Sequence, residues 1–368
     1  MAFGFFKKKS KDKEVVKDSR YKSMIVREVI QVAKESVNVV FEKPESDFNY
    51  QPGQFITIIK EVDGKKIRRA YSLCTTPFED EYPAVTVKRV PGGAMSNHIN
   101  DTFKAGDEIE IMEPMGMFVT EFHAEAARQI VFLGGGSGIT PLYALMRSVL
   151  IKEPNSKVAL VYGNRSEEYI IFKKQLAELD SRFPGRVKIV HILEEDPNKV
   201  ASYSGRPTPA MIAGIADDLG EKDKTEYFIC GPAPMMEVIS TGLAQAGITQ
   251  EQIRMESFEA GKTSPLEIID SKPASNSASS EVTILLEGEE HVVDVAKKKS
   301  ILDAALDENI DMPYSCQSGL CTACRAKCIE GEIDQEDAEG LSADEVANGY
   351  VLLCVGKPIS DKIRVEVG

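Results

Sequence analysis

From residue 128 onward, short unbroken apolar runs alternate with segments of helical spacing. The run Ile130-Val131-Phe132-Leu133 reads as a buried strand that leads through Gly134-Gly135-Gly136-Ser137-Gly138-Ile139-Thr140-Pro141 into a helix ending near Val149. The order then repeats, with strands over 158–162, 187–193 and 227–230 and helices over 167–179, 208–219 and 235–246. Such alternation predicts a parallel, doubly wound α/β sheet. The first 125 residues are strand-rich. Beyond residue 280, the segments 282–287 and 291–295 read as the arms of a hairpin turning at Gly288. Ser300 can cap a helix over 301–308, and 362–367 alternates like a closing strand. Between these parts, Lys272-Pro273-Ala274-Ser275-Asn276-Ser277-Ala278-Ser279-Ser280 is small, polar and aperiodic, which predicts a flexible linker. The chain thus divides into a tail (1–22), a strand-rich domain (23–124), an α/β domain (125–262), a linker (263–280) and a C-terminal domain (281–368).

The longest apolar stretch, 130–151, is broken by Gly134-Gly135-Gly136, Gly138, Pro141 and Arg147, so no integral membrane segment is expected. At the N-terminus, Phe3, Phe5 and Phe6 precede Lys7-Lys8-Lys9, Lys11 and Lys13; the apolar part is too short for a signal peptide and reads as a frayed basic tail. With no apolar leader and an odd count of seven cysteines, the chain is expected in the reducing cytoplasm. The formal net charge is -14, and 281–368 carries 19 acidic against 8 basic residues. That sign disfavours nucleic acid as a partner. It suits both a well-hydrated domain and an acidic face steering toward a basic partner protein.

Cys316, Cys321, Cys324 and Cys354 have the spacing C-x4-C-x2-C-x29-C, the thiolate pattern of a plant-type [2Fe–2S] cluster. A zinc ribbon would more often show two short C-x2-C pairs, and here the fourth cysteine stands alone. Ser318 and Gly319 let backbone N–H groups turn toward bridging sulfides. Cys328 is the only nearby substitute ligand and reads as a small apolar residue on the strand leaving the loop. The four histidines (His98, His123, His191, His291) form no Cys-x-His pair, so a Rieske centre is not indicated. The segment from 281 onward resembles the plant-type ferredoxins, which implies a β-grasp (α+β) fold. Where that family often carries Arg after the first ligand, Gln317 stands here.

In the α/β part, the glycine loop delivers backbone N–H groups to a helix start, where a pyrophosphate is favoured; Gly135, Gly136, Ser137, Gly138 and Thr140 are its candidate contacts. After the second strand, Tyr162-Gly163-Asn164-Arg165-Ser166 offers no acid for a ribose hydroxyl. Arg165 and Ser166 suit a 2′-phosphate, hence NADPH, with NADH possible.

The strand-rich part contains Arg69-Ala70-Tyr71-Ser72-Leu73 and, after 85–89, Gly92-Gly93-Ala94-Met95-Ser96. On these motifs, residues from about 23 to 258 resemble the ferredoxin–NADP reductase superfamily, which implies an antiparallel flavin barrel ahead of the nucleotide domain. The resemblance assigns Arg69 to the flavin phosphate, Tyr71 to the isoalloxazine face and Ser72 to the vicinity of N5. Gly93, Met95 and Ser96, opening a short helix over 96–100, would meet the pyrophosphate of FAD. It also implies that Cys230-Gly231-Pro232 lies beside the nicotinamide. Glu256-Ser257-Phe258 would end the reductase near the flavin, with Phe258 covering the ring; Ser72, Cys230 and Glu256 are the catalytic candidates. The domain order resembles reductase components of multicomponent oxygenases, including those of phenylacetyl-CoA epoxidase and steroid hydroxylases. It implies electron flow from NADPH through FAD and the [2Fe–2S] cluster to a partner oxygenase. Reductases of Rieske or membrane hydroxylases and desaturases, a diaphorase serving a hybrid-cluster protein, and a redox-sensing flavoprotein are alternatives.

Overall fold

A computed structural model of the chain describes residues 21–43, 48–219, 222–258, 279–335 and 338–367. Residues 1–20 of the expected tail and 263–278 of the expected linker lie outside the described residues.

The first domain has six strands: β1 (Tyr21–Ala33), β2 (Ser36–Phe41), β3 (Phe55–Val62), β4 (Lys65–Ser72), β5 (Ala84–Lys88) and β6 (Glu108–Met115). They form one antiparallel sheet in the order β4-β3-β6-β1-β2-β5, and a Leu73–Val85 bridge draws the two edges together into a barrel-like shape. The β3–β4 hairpin turns through Asp63 (φ 52°) and Gly64 (φ 73°), whose positive φ matches the twist of a tight hairpin. Alternate residues such as Val37, Val39, Ile56, Ile58, Ile109 and Ile111 fill the interior. Helix α1 (Ala94–Thr102) starts earlier and ends later than the sequence expectation.

The second domain contains β7 (Gln129–Gly135), β8 (Lys157–Asn164), β9 (Val187–Leu193), β10 (Tyr203–Ser204), β11 (Thr225–Cys230) and β12 (Ile253–Glu256). All pair in parallel, in the order β10-β9-β8-β7-β11-β12. Helices α2 (Ile139–Lys152), α3 (Lys173–Arg182), α4 (Pro209–Leu219) and α5 (Ala233–Gln245) complete the doubly wound unit, with apolar clusters on both sheet faces. The helix expected over 167–179 is divided: a short turn at Glu167–Tyr169 precedes Phe172, which takes a left-handed φ of 62° before α3 begins. The cause is Tyr169-Ile170-Ile171-Phe172. All four are buried, which one helix face cannot achieve for consecutive residues, and Phe172 stacks on Tyr143 with ring centroids 4.6 Å apart.

The third domain has β13 (Ser279–Leu286), β14 (Glu289–Ala296), β15 (Arg325–Glu330), β16 (Ile333–Asp334), β17 (Tyr350–Leu352), β18 (Lys357–Pro358) and β19 (Lys362–Val367), with helices α6 (Ile301–Asp307) and α7 (Ala343–Ala347). The mixed sheet runs β14-β13-β19-β15-β17, a β-grasp arrangement. Strand β13 begins at Ser279, inside the segment expected as linker. The Ser300 hydroxyl caps α6 by accepting the Asp303 N–H at 3.0 Å, and Ile301, Leu302, Ala304 and Ala305 face the sheet. This domain rests on the outer face of the barrel. Phe55, Ile59 and Met112 pack there against Cys321 and Ala323 of the loop that carries the first three candidate cluster cysteines.

Candidate functional site

A cleft opens where the three domains meet. Phe55, Arg69, Ala70 and Ser72 line it from the barrel, Glu256, Ser257 and Phe258 from the chain after β12, and Ser315, Cys316, Gln317, Ser318 and Leu320 from the cysteine loop. Parallel pairing of β12 with β11 sets Glu256 in register with Cys230, so a strand that the sequence reading missed aims the carboxyl into the cleft. Three polar atoms there, Ser72 Oγ, Glu256 Oε2 and Ser318 Oγ, are buried without a hydrogen bond of good geometry, the Ser72 hydroxyl standing near the Glu256 carboxyl and the Ser318 hydroxyl near Cys316. Orphaned donors and acceptors of this kind are costly unless a ligand satisfies them, and the polar edge of an isoalloxazine can do so. Burial pushes the Glu256 carboxyl up to about 8; the Cys316 thiolate adds to the rise, while the Ser72 hydroxyl opposes it. Glu256 is therefore a neutral acid at pH 7 that can donate a proton or a hydrogen bond.

The other flavin candidates divide. Arg69 is exposed, its guanidinium anchored by an Nη1 donation to the Arg68 carbonyl at 2.7 Å, and it remains open to a phosphate. Tyr71 is turned toward the barrel cluster that holds Met95, and burial pushes its phenol up. Gly93 caps α1, and a Cβ there would come within 2.7 Å of Ser96 Oγ. The Met95 side chain is core, and the Ser96 hydroxyl accepts the Val90 N–H at 3.1 Å. Backbone N–H groups of this helix start are thus what it can present to a pyrophosphate.

Strand order reverses at β7, and the glycine loop sits at that switch point, at the carboxyl ends of the strands. A side chain at Gly138 would overlap the Cys230 carbonyl, and one at Gly231 would come within 3.0 Å of Gly135 N, so Gly135, Gly138, Gly231 and the start of α5 after Pro232 approach backbone to backbone. Thr140 Oγ1 donates to the Ser137 carbonyl at 3.0 Å, holding the loop closed. Cys230 is fully buried, and burial, then Glu256, pushes its thiol well above the ordinary value. Arg165, beside Ser166, is exposed and pairs with Glu195 at 3.3 Å. The sequence reading missed Lys88: its amine lies 3.3 Å from where a Gly136 Cβ would stand, and burial lowers its pKa. A lysine closing the otherwise uncharged strand Ala84-Val85-Thr86-Val87-Lys88 was the available signal.

The thiols of Cys316, Cys321, Cys324 and Cys354 lie near one another, Cys316 beside Cys321 and Cys354, and Cys324 beside Cys354. Contact with Cys321 and then Cys354 pulls the Cys316 thiol well below its ordinary value. The thiol of Cys321 is raised first by its bond to Cys316, that of Cys354 by its bonds to Cys316 and then Cys324. Neighbouring sulfurs in this sequence spacing suit a cationic iron cluster. Gln317 (φ 54°) and Gly319 (φ 73°) both turn left-handed, and the Ser318 N–H donates to Cys316 Sγ at 3.5 Å, the inward turn expected of the loop. Cys328 points elsewhere, its thiol near the Gly331 carbonyl at 3.5 Å.

The match to known families follows the same three units. Residues 23–120 fit an oxidoreductase FAD-binding domain, 132–241 an oxidoreductase NAD-binding domain, and 284–358 a 2Fe-2S iron-sulfur cluster binding domain. The ferredoxin reductase component of 3-ketosteroid-9-alpha-monooxygenase from Rhodococcus rhodochrous is 33% identical over 363 residues, covering 96% of this chain and 99% of that protein. A component of the 1,2-phenylacetyl-CoA epoxidase from Escherichia coli is 31% identical, covering 94% of this chain and 97% of that protein. An intact type IV self-sufficient cytochrome P450 monooxygenase shares the fold, with a TM-score of 0.66 at 20% identity over 94% of this chain and 41% of its own. No helix among the described residues is long and apolar enough to cross a membrane. A cleft walled by the barrel, the chain after β12 and the three-cysteine loop, beside a parallel sheet with a glycine loop at its switch point, thus coincides with near full-length relatives: the chain belongs to the ferredoxin–NADP reductase-type oxidoreductases with a C-terminal [2Fe–2S] domain that serve as electron-transfer components of multicomponent oxygenases.

Proposed function

We propose that this reductase takes electrons from NADPH in the cytoplasm and delivers them singly to a phenylacetyl-CoA epoxidase-type oxygenase component. FAD and the cluster, when bound, supply the conversion of a two-electron hydride into single electrons; the chain's own residues position and tune them. The observation that carries the reading is the shared wall: Ser72 and Glu256 line the same cleft as Cys316 and Ser318. In this reading Arg69 and the N–H groups after Gly93 hold the flavin phosphates. Ser72 would accept or donate at the ring edge, Glu256 would hold a proton beside it, and Phe258, half-exposed at the rim, would cover the ring. The loop of Gly135 to Gly138, with Lys88 above it, binds the dinucleotide pyrophosphate, and Cys230-Gly231-Pro232 forms the floor under the nicotinamide.

A second nucleotide reading, NADH, is favoured by Glu195, whose carboxylate already pairs with Arg165 and would accept from a ribose hydroxyl. Low-salt affinity capture from the native host, with mass spectrometry of bound proteins, tests the acceptor. Low salt preserves attraction by an acidic face. Recovery of a di-iron carboxylate oxygenase supports the epoxidase assignment, whereas a Rieske oxygenase or a membrane desaturase in its place overturns it.

A further inference from the structure

Strand β3 is buried on both faces. Ile56 and Ile58 point into the barrel, while Phe55, Thr57 and Ile59 point out and are covered by the cluster domain. Apolar covering of this kind is non-directional and does not by itself fix a register. Polar contacts supply direction. Thr57 Oγ1 and Ser315 Oγ are hydrogen-bonded at 2.5 Å, both buried. On the neighbouring strand, the Arg68 side chain is only 3% exposed, yet its Nη1 lies 2.6 Å from Asp311 Oδ1. Lys66 Nζ reaches the other oxygen of the same carboxylate at 3.1 Å, and the guanidinium stands 5.5 Å from the centre of the Tyr314 ring.

The two ends of this contact are each tied to a redox site. Arg68 shares a face of β4 with Ala70 and Ser72, both in the flavin cleft, because side chains two apart point the same way. Asp311 begins the segment Met312-Pro313-Tyr314-Ser315, buried throughout, which ends at Cys316. A displacement at Asp311 is therefore passed to the cluster ligand that lines the cleft. An exposed ion pair would be worth little, but here one partner is a cation covered by the other domain, and such a charge needs its counter-charge in place.

We propose that Arg68 and Asp311 are positioning residues for the flavin-to-cluster step, an inference that rests on the electron-transfer reading above. Their pair seats the cluster loop over the flavin cleft in one register. In the step, one electron leaves the reduced flavin and one ferric iron of the cluster becomes ferrous. An external one-electron acceptor then reoxidises the cluster so that the second electron can follow. Tunnelling falls steeply with separation, so a loosened register slows this step and leaves nucleotide oxidation untouched.

The test uses the holoenzyme with flavin and cluster content matched between variants. Anaerobic stopped-flow mixing with nicotinamide follows flavin bleaching and cluster bleaching separately. In Asp311→Lys the flavin phase keeps the wild-type rate and the cluster phase slows at least about tenfold, equivalent to about 1.4 kcal/mol of docking free energy. Asp311→Glu stays within about threefold of wild type, since the ion pair is kept. Raising salt from about 0.05 M to about 0.5 M slows the wild-type cluster phase and not that of Asp311→Lys. Small-angle scattering shows a larger radius for Asp311→Lys, and a redox titration shows an unchanged cluster potential. Wild-type cluster rates in Asp311→Lys overturn the proposal, as does slowing explained by a shifted potential at unchanged radius. If wild-type flavin never reduces the cluster, the electron-transfer reading fails instead, and the scattering comparison still decides whether the pair seats the domain.

Discussion

Replacing Glu256 with Gln keeps the shape of a neutral carboxyl and removes its titration. Burial holds the wild-type group at about 8 in place of the ordinary 4.5, so the native chain retains a proton that the unfolded chain releases. The sign follows: relative to the Gln variant, wild-type stability is fully present below the ordinary pKa, declines as pH rises, and is lost above the folded value, a span of about 5 kcal/mol. At pH 7 about nine in ten Glu256 carboxyls carry the proton, and at pH 9 about one in ten. If the protonated form supports flavin reduction, its rate falls about tenfold between those pH values in wild type. In Glu256→Gln it stays within about twofold. The assay is the flavin-bleaching phase in anaerobic stopped flow at saturating nicotinamide. A break near pH 8 that persists in Glu256→Gln would refute the assignment of that titration to this residue.

Arg165→Ala should lower kcat/KM for NADPH about tenfold and leave NADH within about twofold, because only a 2′-phosphate engages the guanidinium; equal losses with both would withdraw that contact. Cys354→Ser should abolish the cluster's visible and magnetic signals and one-electron reduction of cytochrome c, while nicotinamide-dependent ferricyanide reduction by the flavin persists. Retention of a full cluster signal would mean that another group, such as Cys328, completes the ligand set. Ending the chain at residue 258 should bare Phe55, Ile59 and Met112, side chains whose burial contributes about 1.5–3 kcal/mol each. Self-association in analytical ultracentrifugation is then expected, and a monomer as stable as the full chain would contradict it.

The sequence was most legible where hydrophobic period and polar breaks agree. The strands expected over 187–193 and 362–367 have those bounds in the structure, since each is a regular run between charged or turn residues. The parallel sheet was readable for the same reason, motif and period pointing to one answer. Reading failed where tertiary contact decides. The run 169–172 looked like the first turn of a helix, but four consecutive apolar residues were a sign of burial on all sides and not of one amphipathic face. Strand β12 is four residues long, with Arg254 and Met255 exposed, and only its pairing with β11 defines it. Lys88 carried no motif; its significance comes from the Gly136 backbone that folding brings to it.

The domain contact had a signal too, of a different kind. An antiparallel strand with one wet face should alternate apolar and polar residues. In β3, Phe55-Ile56-Thr57-Ile58-Ile59 does not alternate, and neither face is wet. The same strand pairs with β4, which carries Arg69, Ser72 and the buried Arg68 within five residues. A barrel selected only to hold flavin gains nothing from an apolar exterior beside a buried arginine. Both make sense once that face has a constant occupant bearing a carboxylate. The flavin half of the chain is thus written for the cluster half: its outer face, its charge and its cleft are complete only when a loop more than two hundred residues away in sequence lies across them.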